Sequence, residues 1–384
     1  MKITNLQTLC LSRPHEPERQ WRTGGARVPK ADCAIVIIDT DEGVRGIGEA
    51  CAYGNPPKIR NEVGRMQADL VGKDPTDPTI APRPVGFNGP VDTAAAGIDT
   101  ALWDIRGKIE GKKVAELLAG PDVKPLDKVR LYASGGVNYD WEDCPESVVD
   151  EALDYISRGF TAFKMRIGTE WSWAGVTADR FIALLRKVTE AVDGRMDLML
   201  DGNQRLTEEQ ALQIARAMDE MDWTWFEEPI PQKDIAGYAR LNEAVSMPIT
   251  GGEQYTTVEQ YIPYMEQKAY EIVQADCGWC GLTVGMEITR YAHEFGVPHC
   301  PHSWHNGLMA MANGHLVAAQ PDPRVLELCM FQGPLQWEIL KEKPAMVDGY
   351  LVLPDKPGLG VELADDLEER FPYIDGSWAE AIKR

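Results

Sequence analysis

The sequence has no long apolar run and no excess of positive charge. No apolar stretch approaches the roughly 20 residues of a membrane-spanning helix, and the first 20 residues contain neither the apolar core nor the cleavage site of a signal peptide. Lys and Arg total 39 against 60 Asp and Glu, which gives a formal net charge of −21. This balance argues against nucleic-acid binding, because phosphates require a basic surface. An anionic substrate would need cations placed close to it.

The chain of 384 residues has eight cysteines, and they are scattered rather than clustered. Several of them lie in apolar runs, which is typical of buried free thiols. Without a membrane span or a signal peptide, and with this cysteine usage, the sequence predicts a cytoplasmic protein. The length exceeds that of one ordinary hydrophobic core, so we expect one large domain and a smaller one.

Three regions of the chain differ in pattern. Residues 1–125 begin with two strand-like runs, CAIVIIDTD and GVRGIGEA, and continue with helical stretches such as DTAAAGIDTALWDIRGKIEG. Residues 126–330 alternate amphipathic helical segments with eight predicted strands, KVRLYASGG, AFKMRIG, MDLMLDGNQ, WTWFEEP, PITGGEQ, YEIVQADCG, PHCPHSW and VLELCM. Eight such units in about 205 residues are typical of a (β/α)₈ barrel. Residues 331–384 are turn-rich, and we expect this tail to pack against the first region.

One polar residue stands near the C-terminal end of each predicted barrel strand from the third to the eighth. The spacing is 23 to 26 residues, about one strand–helix unit, and the residues are Asp201, Glu227, Glu253, Asp276, His302 and Glu327. Barrel enzymes carry their active sites at this end of the strands. We therefore expect these side chains to converge.

The second predicted strand, FKMRIG, carries two cations at alternate positions. Residues i and i+2 of a strand point to the same face. Phe163, Met165 and Ile167 are therefore expected to face the outer helices. Lys164 and Arg166 are expected to point into the mouth of the barrel.

Asp201, Glu227 and Glu253 end three consecutive predicted strands. Three carboxylates that meet at one rim repel each other unless a cation lies between them. A set of oxygen ligands without Cys or His favours Mg²⁺ over zinc. Any one of the three could be a solvated acidic residue, but the matching spacing of all three favours a metal site.

Asp276 and His302 end the adjacent sixth and seventh predicted strands. A carboxylate on one imidazole nitrogen fixes the tautomer and raises the basicity of the other, which makes a general base. A structural pair is the alternative. His302 fits the strand-end spacing better than His299 or His305. Glu327, if held neutral, could donate a hydrogen bond to a developing oxyanion, or it could be structural.

These groups together suit removal of the α-proton of a carboxylate substrate. The substrate carboxylate would bind the metal and Lys164. His302 would take the α-proton, and the charge of the resulting enediolate would be shared by the metal, Lys164 and Glu327.

This set resembles the enolase superfamily, and most closely its mandelate racemase group. The motifs that carry the resemblance over nearly the whole chain are FKMRIG, DGNQ, FEEP, GGEQ, QADCG, PHCPHSW, LELC, ALWDIRGK and LPDKPGLGVEL. The resemblance implies an α/β fold, with a (β/α)₇β TIM-like barrel at 126–330 and an α+β capping domain at 1–125 to which the tail, 331–384, returns. It also implies Mg²⁺, a homo-oligomer, and a substrate-binding role for Asn203 of DGNQ.

Arg166 stands where the family usually has a second lysine that acts as a base. A guanidinium, with a pKa near 12.5 or above, is a poor base at neutral pH and is better suited to holding a carboxylate or hydroxyl. A single base suits dehydration, in which His302 removes the α-proton and then, as imidazolium, helps to expel a β-hydroxyl. The resemblance implies that this converts an acid sugar into a 2-keto-3-deoxy acid.

The capping domain supplies specificity in this family. Candidates for contact with the distal end of the substrate are Trp21, Arg22, Arg27, Tyr53 and Asn55. Each of them could equally belong to an ordinary surface loop. Trp304, beside His302, is a candidate to pack on the apolar face of a sugar, with a core role as the alternative.

Four other interpretations stay open from the sequence. A lactone cycloisomerase, or a racemase or epimerase, of the same superfamily needs the same residues around the metal. A class I aldolase would use Lys164 as a Schiff base, but three matched carboxylates would then be unexplained. A binding protein that has lost catalysis would have Arg166 as the loss. CGWC, Cys277 to Cys280, could be a redox motif or half of a zinc site.

Overall fold

The computed structural model describes residues 1–53 and 55–383, and its first part is a small sheet packed on helices. The elements are β1 (Ile3–Pro14), β2 (Trp21–Thr23), β3 (Ala26–Val28), β4 (Lys30–Thr40), β5 (Arg45–Ala50), α1 (Pro56–Leu70), α2 (Pro90–Glu110) and α3 (Val114–Leu118). β4 and β5 confirm the two predicted strand-like runs, and they pair antiparallel. α2 lies so close to this hairpin that a Cβ on Gly48 would be 2.2 Å from the carbonyl oxygen of Gly97.

The second part is a barrel of mostly parallel strands. Its elements are β6 (Lys128–Ser134), α4 (Ser147–Ser157), β7 (Ala162–Arg166), α5 (Ala178–Val192), β8 (Asp197–Asp201), α6 (Glu208–Glu220), β9 (Trp225–Glu227), α7 (Ile235–Ala244), β10 (Ile249–Gly251), α8 (Val258–Glu266), β11 (Ile272–Val273), α9 (Cys277–Glu294), α10 (Gly307–Ala318) and β12 (Val325–Cys329). Neighbouring strands from β6 to β11 pair in sequence order. β12 returns to pair in parallel with β6, so the strand ends surround one mouth.

The prediction that PHCPHSW is a seventh strand is wrong in detail. The segment lies beside β11, but its one strand-like pairing among the described residues is a single bridge between His299 and Val273. Pro298 and Pro301 lack an N–H and cannot donate to a strand ladder. The segment therefore occupies the seventh position of the barrel without forming a regular strand.

Seven helices, α4 to α10, connect the eight strand positions. In the described part of the chain, β12 is followed by a 3₁₀ turn, Gly333–Gln336, and the tail rather than by an eighth barrel helix. This agrees with the (β/α)₇β arrangement that the resemblance implies and corrects the count of eight complete units. Within the same residues, no helix combines the length and apolar character needed to cross a membrane.

The tail contains β13 (Met346–Val347), β14 (Tyr350–Val352), α11 (Leu367–Arg370) and β15 (Glu380–Ala381). β14 pairs antiparallel with β6 on the barrel. Further along, Pro372 bridges to Leu11 of β1, and β15 pairs with β3. The tail thus returns to the capping domain, as predicted.

His315, in α10, joins the barrel to the capping domain and the tail through both ring nitrogens. Its Nδ1 accepts from the backbone N–H of Ala115 at 3.2 Å, and its Nε2 donates to the carbonyl of Leu359 at 3.1 Å. Both bonds require the neutral ring, because a proton on Nδ1 would point at the backbone N–H of Ala115, which is itself a donor. Burial lowers the pKa of His315 to about 4.

The free energy of unfolding is expected to fall as the pH is lowered from 6.5 towards 4. An unfolded histidine titrates near 6.5, whereas burial lowers the pKa of His315 and of His299 to about 4. The unfolded state therefore binds more protons in this window, and each residue costs about 2 kcal/mol of stability by pH 5. Urea unfolding at pH 7 and pH 5 measures the loss, which should shrink by about this amount in His315→Gln. An unchanged loss in the variant would contradict the assignment.

Candidate active site

Lys164 and Arg166 both point into the barrel from β7. The ring of Phe163, on the opposite face, packs against Tyr155 of α4 at 5.4 Å. The Lys164 Nζ donates to both carboxylate oxygens of Glu227 at 2.7 Å. The Arg166 Nε lies 2.9 Å from Asp201 Oδ2. The alternation of FKMRIG thus directs two buried cations at the strand ends.

The three predicted metal ligands lie at neighbouring strand ends. Asp201 and Glu227 are the last residues of β8 and β9 and face each other in register, and Glu253 follows the end of β10 by two residues. Each carboxylate lies close to a positively charged or titratable side chain. For Glu253, this is the imidazole of His302, whose Nε2 is 3.6 Å from Oε2.

The chemistry of this donor set fits a divalent cation. Asp201 and Glu227 are almost fully buried. Burial, Asp201 and the other acidic neighbours raise the pKa of Glu227 to about 7, although Lys164 opposes them. Carboxylates that destabilise each other in this way gain from a shared cation, and ligation by oxygen alone suits Mg²⁺.

Two side chains hold the carboxylates in place. Asn203 donates its backbone N–H to Asp201 Oδ1 at 2.7 Å and its Nδ2 to Oδ2 at 3.1 Å. The side chain of Gln274 donates to Glu227 Oε2 at 2.6 Å and accepts from Thr250 at 2.6 Å. The sequence predicts Asn203 as a substrate contact and does not single out Gln274. The alternation of side chains in QAD places Gln274 on the same face as Asp276, and this pattern is enough to predict Gln274 as a site residue.

His302 is held by Asp276. Its Nδ1 donates to Asp276 Oδ2 at 2.7 Å, and both side chains are almost fully buried. Its Nε2 is also buried and has no hydrogen-bond partner among the described residues. Burial lowers the pKa of His302, but Glu253, Glu327 and Asp276 outweigh it and raise the pKa to about 10.

His305 donates its Nε2 to the same oxygen of Asp276 at 2.6 Å. His305 fits the strand-end spacing less well than His302 and is not predicted from the sequence as a site residue. Asp276, His302 and His305 bring potential ligand atoms within 4.8 Å of one another. The separations of 2.6 and 2.7 Å, to one shared oxygen, are those of charge-assisted hydrogen bonds. We therefore interpret this group as hydrogen-bonded rather than as a metal site.

Glu327 differs from the expectation that its carboxyl group is neutral. It lies 3.1 Å from the Lys164 Nζ and accepts the backbone N–H of Ser303 at 2.5 Å. Burial raises the pKa of Glu327, but Lys164 and His302 outweigh it and lower the pKa to about 2. Glu327 is therefore a carboxylate that accepts hydrogen bonds.

Trp304 lies behind Arg166. Its ring is 4.6 Å from the guanidinium and meets the ring of Trp21 edge-on at 5.3 Å. Only 1% of Trp304 is exposed. It therefore fixes the guanidinium of Arg166, and its contact with a substrate stays a prediction.

The five candidates in the capping domain have different surroundings. Trp21 and Tyr53 line a cavity of about 20 Å³ beside the site, together with Trp304, His305 and Trp378. Trp378, from the tail, stacks on Tyr53 at 5.3 Å and was not predicted from the sequence.

The two arginine candidates form ion pairs elsewhere. Arg22 pairs with Asp140 at 2.6 Å, and Arg27 pairs with Glu380 at 2.9 Å. The Asn55 side chain donates to the carbonyl of Tyr53 at 3.5 Å, and Gly54 lies outside the described residues.

The cysteines of CGWC are unsuited to redox or zinc chemistry. Cys277 and Cys280 are buried at the start of α9. Burial raises the pKa of both thiols well above the ordinary range, whereas the thiolate is the reactive and metal-binding form. Neither sulfur joins a group of three potential metal ligands in the part of the chain that the structure describes.

The fold and the site together define a barrel enzyme with a capping domain. Residues 147–367 match the family model described as enolase C-terminal domain-like. Residues 12–119 match that of the mandelate racemase / muconate lactonizing enzyme N-terminal domain. The chain belongs to the enolase superfamily of enzymes, in its mandelate racemase group.

Relatives with known names cover most of the chain. An arabinonate dehydratase of Saccharolobus solfataricus is 31% identical over 87% of this chain and 89% of its own. A D-galactarolactone cycloisomerase of Agrobacterium fabrum is 30% identical over 98% and 100%. The solved 3,6-anhydro-D-galactonate cycloisomerase of Zobellia galactanivorans superimposes with a TM-score of 0.82, at 29% identity over 98% of this chain and 100% of that one.

Proposed function

We propose that the protein uses Mg²⁺ to remove the α-proton of a carboxylate substrate and dehydrates an acid sugar to a 2-keto-3-deoxy acid. The observation that carries this proposal is the orientation of His302. Its Nδ1 is occupied by Asp276, and its unpartnered Nε2 lies 3.6 Å from Glu253 and 3.9 Å from Glu327. A base that faces the same mouth as three carboxylates and two cations suits proton abstraction next to a substrate carboxylate.

Lys164 has an electrostatic task in this proposal. Glu227 and Glu327 raise the pKa of Lys164 above its ordinary value, although burial opposes them. Lys164 is therefore a permanent cation that offsets the charge developing on the substrate carboxylate. A protonated amine is no nucleophile, which disfavours the class I aldolase. When bound by Asp201, Glu227 and Glu253, Mg²⁺ would supply Lewis-acid polarisation of the substrate.

His302 performs both proton transfers in the proposed dehydration. Glu253 and Glu327 raise the pKa of His302 when no metal is bound, and a divalent cation held by Glu253 would offset that carboxylate and leave Nε2 neutral. The neutral Nε2 takes the α-proton, and the electron pair of the C–H bond forms the double bond between the α and β carbons. The C–O bond to the β-hydroxyl breaks, and the imidazolium returns its proton so that water leaves. The enol then tautomerises to the 2-keto-3-deoxy acid. Asp276 stabilises the imidazolium between these two steps.

Sugar-acid lactone cycloisomerisation is the second candidate function. The galactarolactone cycloisomerase relative matches this chain over almost its full length, and the anhydrogalactonate cycloisomerase shares the fold. That chemistry needs the same base and metal ligands but expels a ring oxygen instead of water. Epimerisation is less well supported, because Arg166 stands in place of a second base.

A screen of acid sugars and their lactones tests the proposal. Each compound is incubated with the protein and Mg²⁺, and 2-keto products are detected with semicarbazide, with EDTA as the control. We expect EDTA-sensitive ketone formation from at least one free acid sugar. A signal from lactones alone would favour the cycloisomerase. No signal from the whole library, and no α-deuterium exchange in D₂O, would contradict both candidates.

Arg166→Lys tests whether position 166 binds the substrate or acts as a base. The ammonium keeps the charge but loses the two-pronged grip of a guanidinium and its stacking on Trp304, so we expect kcat/KM to fall about tenfold. The measurement is steady-state kinetics with the acid sugar identified by the screen, and recovered substrate is analysed by NMR after reaction in D₂O. New α-deuterium in that substrate would show that a base can act from this position, contrary to a binding role alone.

A further inference from the structure

We propose that His305 is a positioning residue that fixes the catalytic base His302 by sharing the carboxylate of Asp276. This inference deepens the proposed function and in part rests on it. It concerns a residue outside the pair of Asp276 and His302 that the mechanism uses. The geometry of the Asp276 carboxylate carries the argument.

Asp276 is saturated with hydrogen-bond donors. Its Oδ2 receives His302 Nδ1 at 2.7 Å and His305 Nε2 at 2.6 Å. Its Oδ1 receives the backbone N–H of Gly278 at 2.8 Å and the side-chain Nδ2 of Asn313 at 3.1 Å. An ionised carboxylate has about four lone-pair sites, and here four donors occupy them. The carboxylate therefore cannot rotate without breaking a bond.

The surroundings of His305 fix its ring. A Cβ on Gly278 would lie 3.0 Å from His305 Nε2, so the glycine leaves the room that the ring occupies. The ring of Tyr53 packs against the imidazole at 5.5 Å. The next residue, Asn306, is held by Glu49 of β5 through a side-chain bond of 2.8 Å. The capping domain thus positions His305, which positions Asp276.

The bond from His305 runs to Asp276 rather than to the proposed metal ligands. Without it, one lone pair of a fully buried carboxylate would have no donor, a condition that proteins avoid. The carboxylate would then turn or shift to recover a donor. The bond that orients His302 would change with it. The expected effect is on the proton transfer rather than on substrate binding.

Two variants separate the hydrogen bond from the bulk of the ring. His305→Gln keeps an N–H donor near the position of Nε2, whereas His305→Leu removes the donor and fills similar space. For His305→Leu we expect kcat to fall about 10- to 100-fold with KM within about threefold of wild type. His305→Gln should recover most of kcat. Wild-type kcat in His305→Leu, or an equal loss in both variants, would overturn the proposal.

NMR of protein labelled with ¹⁵N-histidine tests the same bond without reference to turnover. The ring N–H protons of His302 and His305 are expected as two downfield signals, and His302→Asn identifies one of them. Both variants should remove the His305 signal. His305→Gln should leave the His302 signal close to its wild-type position, whereas His305→Leu should shift it. An unshifted His302 signal in His305→Leu, or loss of that signal in His305→Gln, would overturn the proposal even if the enzyme proves to catalyse another reaction, and the second result remains decisive if His305→Leu does not fold.

Discussion

Replacement of His302 by asparagine is expected to lower kcat by about 10³-fold, within the usual range for loss of a general base. The Asn side chain can still donate to Asp276, so the carboxylate keeps a partner. The variant loses only the Nε2 that faces Glu253 and Glu327. Steady-state kinetics with the acid sugar found by the screen measures the change. KM should change much less, because Lys164 and Arg166 remain in place to hold the substrate carboxylate.

His293→Asn is the matched control for this prediction. His293 lies exposed in the last turn of α9, on the helix before the segment that carries His302. The same substitution there should leave kcat unchanged. If His302→Asn kept more than a tenth of the wild-type kcat, His302 would not be the base.

Glu227→Gln is expected to remove Mg²⁺ binding and activity together. Glu227 is fully buried. It ends β9, with Asp201 at the end of the neighbouring strand β8 and Glu253 just after the end of β10 on the other side. Loss of residues that only support a metal ligand already costs 10- to 100-fold in affinity, so we expect the loss of a ligand to cost at least about 100-fold. The lost polarisation is worth several kcal/mol, which lowers kcat by about 10³-fold. Titration calorimetry with Mg²⁺ and steady-state kinetics measure the two effects.

Glu220→Gln is the control for Glu227→Gln. It removes the same charge from an exposed side chain at the end of α6, so Mg²⁺ binding and kcat should stay at wild-type values. Undiminished Mg²⁺ binding by Glu227→Gln would remove Glu227 from the ligand set. Circular dichroism checks that Glu227→Gln is folded. We expect it to fold, because Lys164 keeps Glu327 as a charge partner at 3.1 Å.

Repetition made the barrel predictable from the sequence. A polar residue at intervals of 23 to 26 along the chain marks successive strand ends, and strand alternation alone sets Lys164 and Arg166 on one face. Both patterns depend on local geometry, which the residues specify directly. The seventh position was misread as a strand, since its apolar and polar residues alternate correctly while Pro298 and Pro301 interrupt its hydrogen bonds.

The missed parts of the site depend on contacts between distant segments. Trp378 reaches Tyr53 from the far end of the chain, and no spacing rule connects the two. The charge of Glu327 depends on Lys164 and His302, which surround it only in the fold. His305 does not fit the spacing of the strand ends, so the sequence favours His302 over it. In the fold, the loop after His302 brings the ring of His305 back to Asp276.

The most direct test of proton removal followed by loss of water is NMR of the reaction in D₂O. The acid sugar that gives an EDTA-sensitive ketone is incubated with the protein and Mg²⁺, and substrate and product are both recovered. We expect a 2-keto-3-deoxy acid that carries one solvent deuterium at C3, and formation of that product about 10³-fold more slowly with His302→Asn. Substrate that gains α-deuterium without any ketone, or ketone that forms equally well with His302→Asn, would contradict this mechanism.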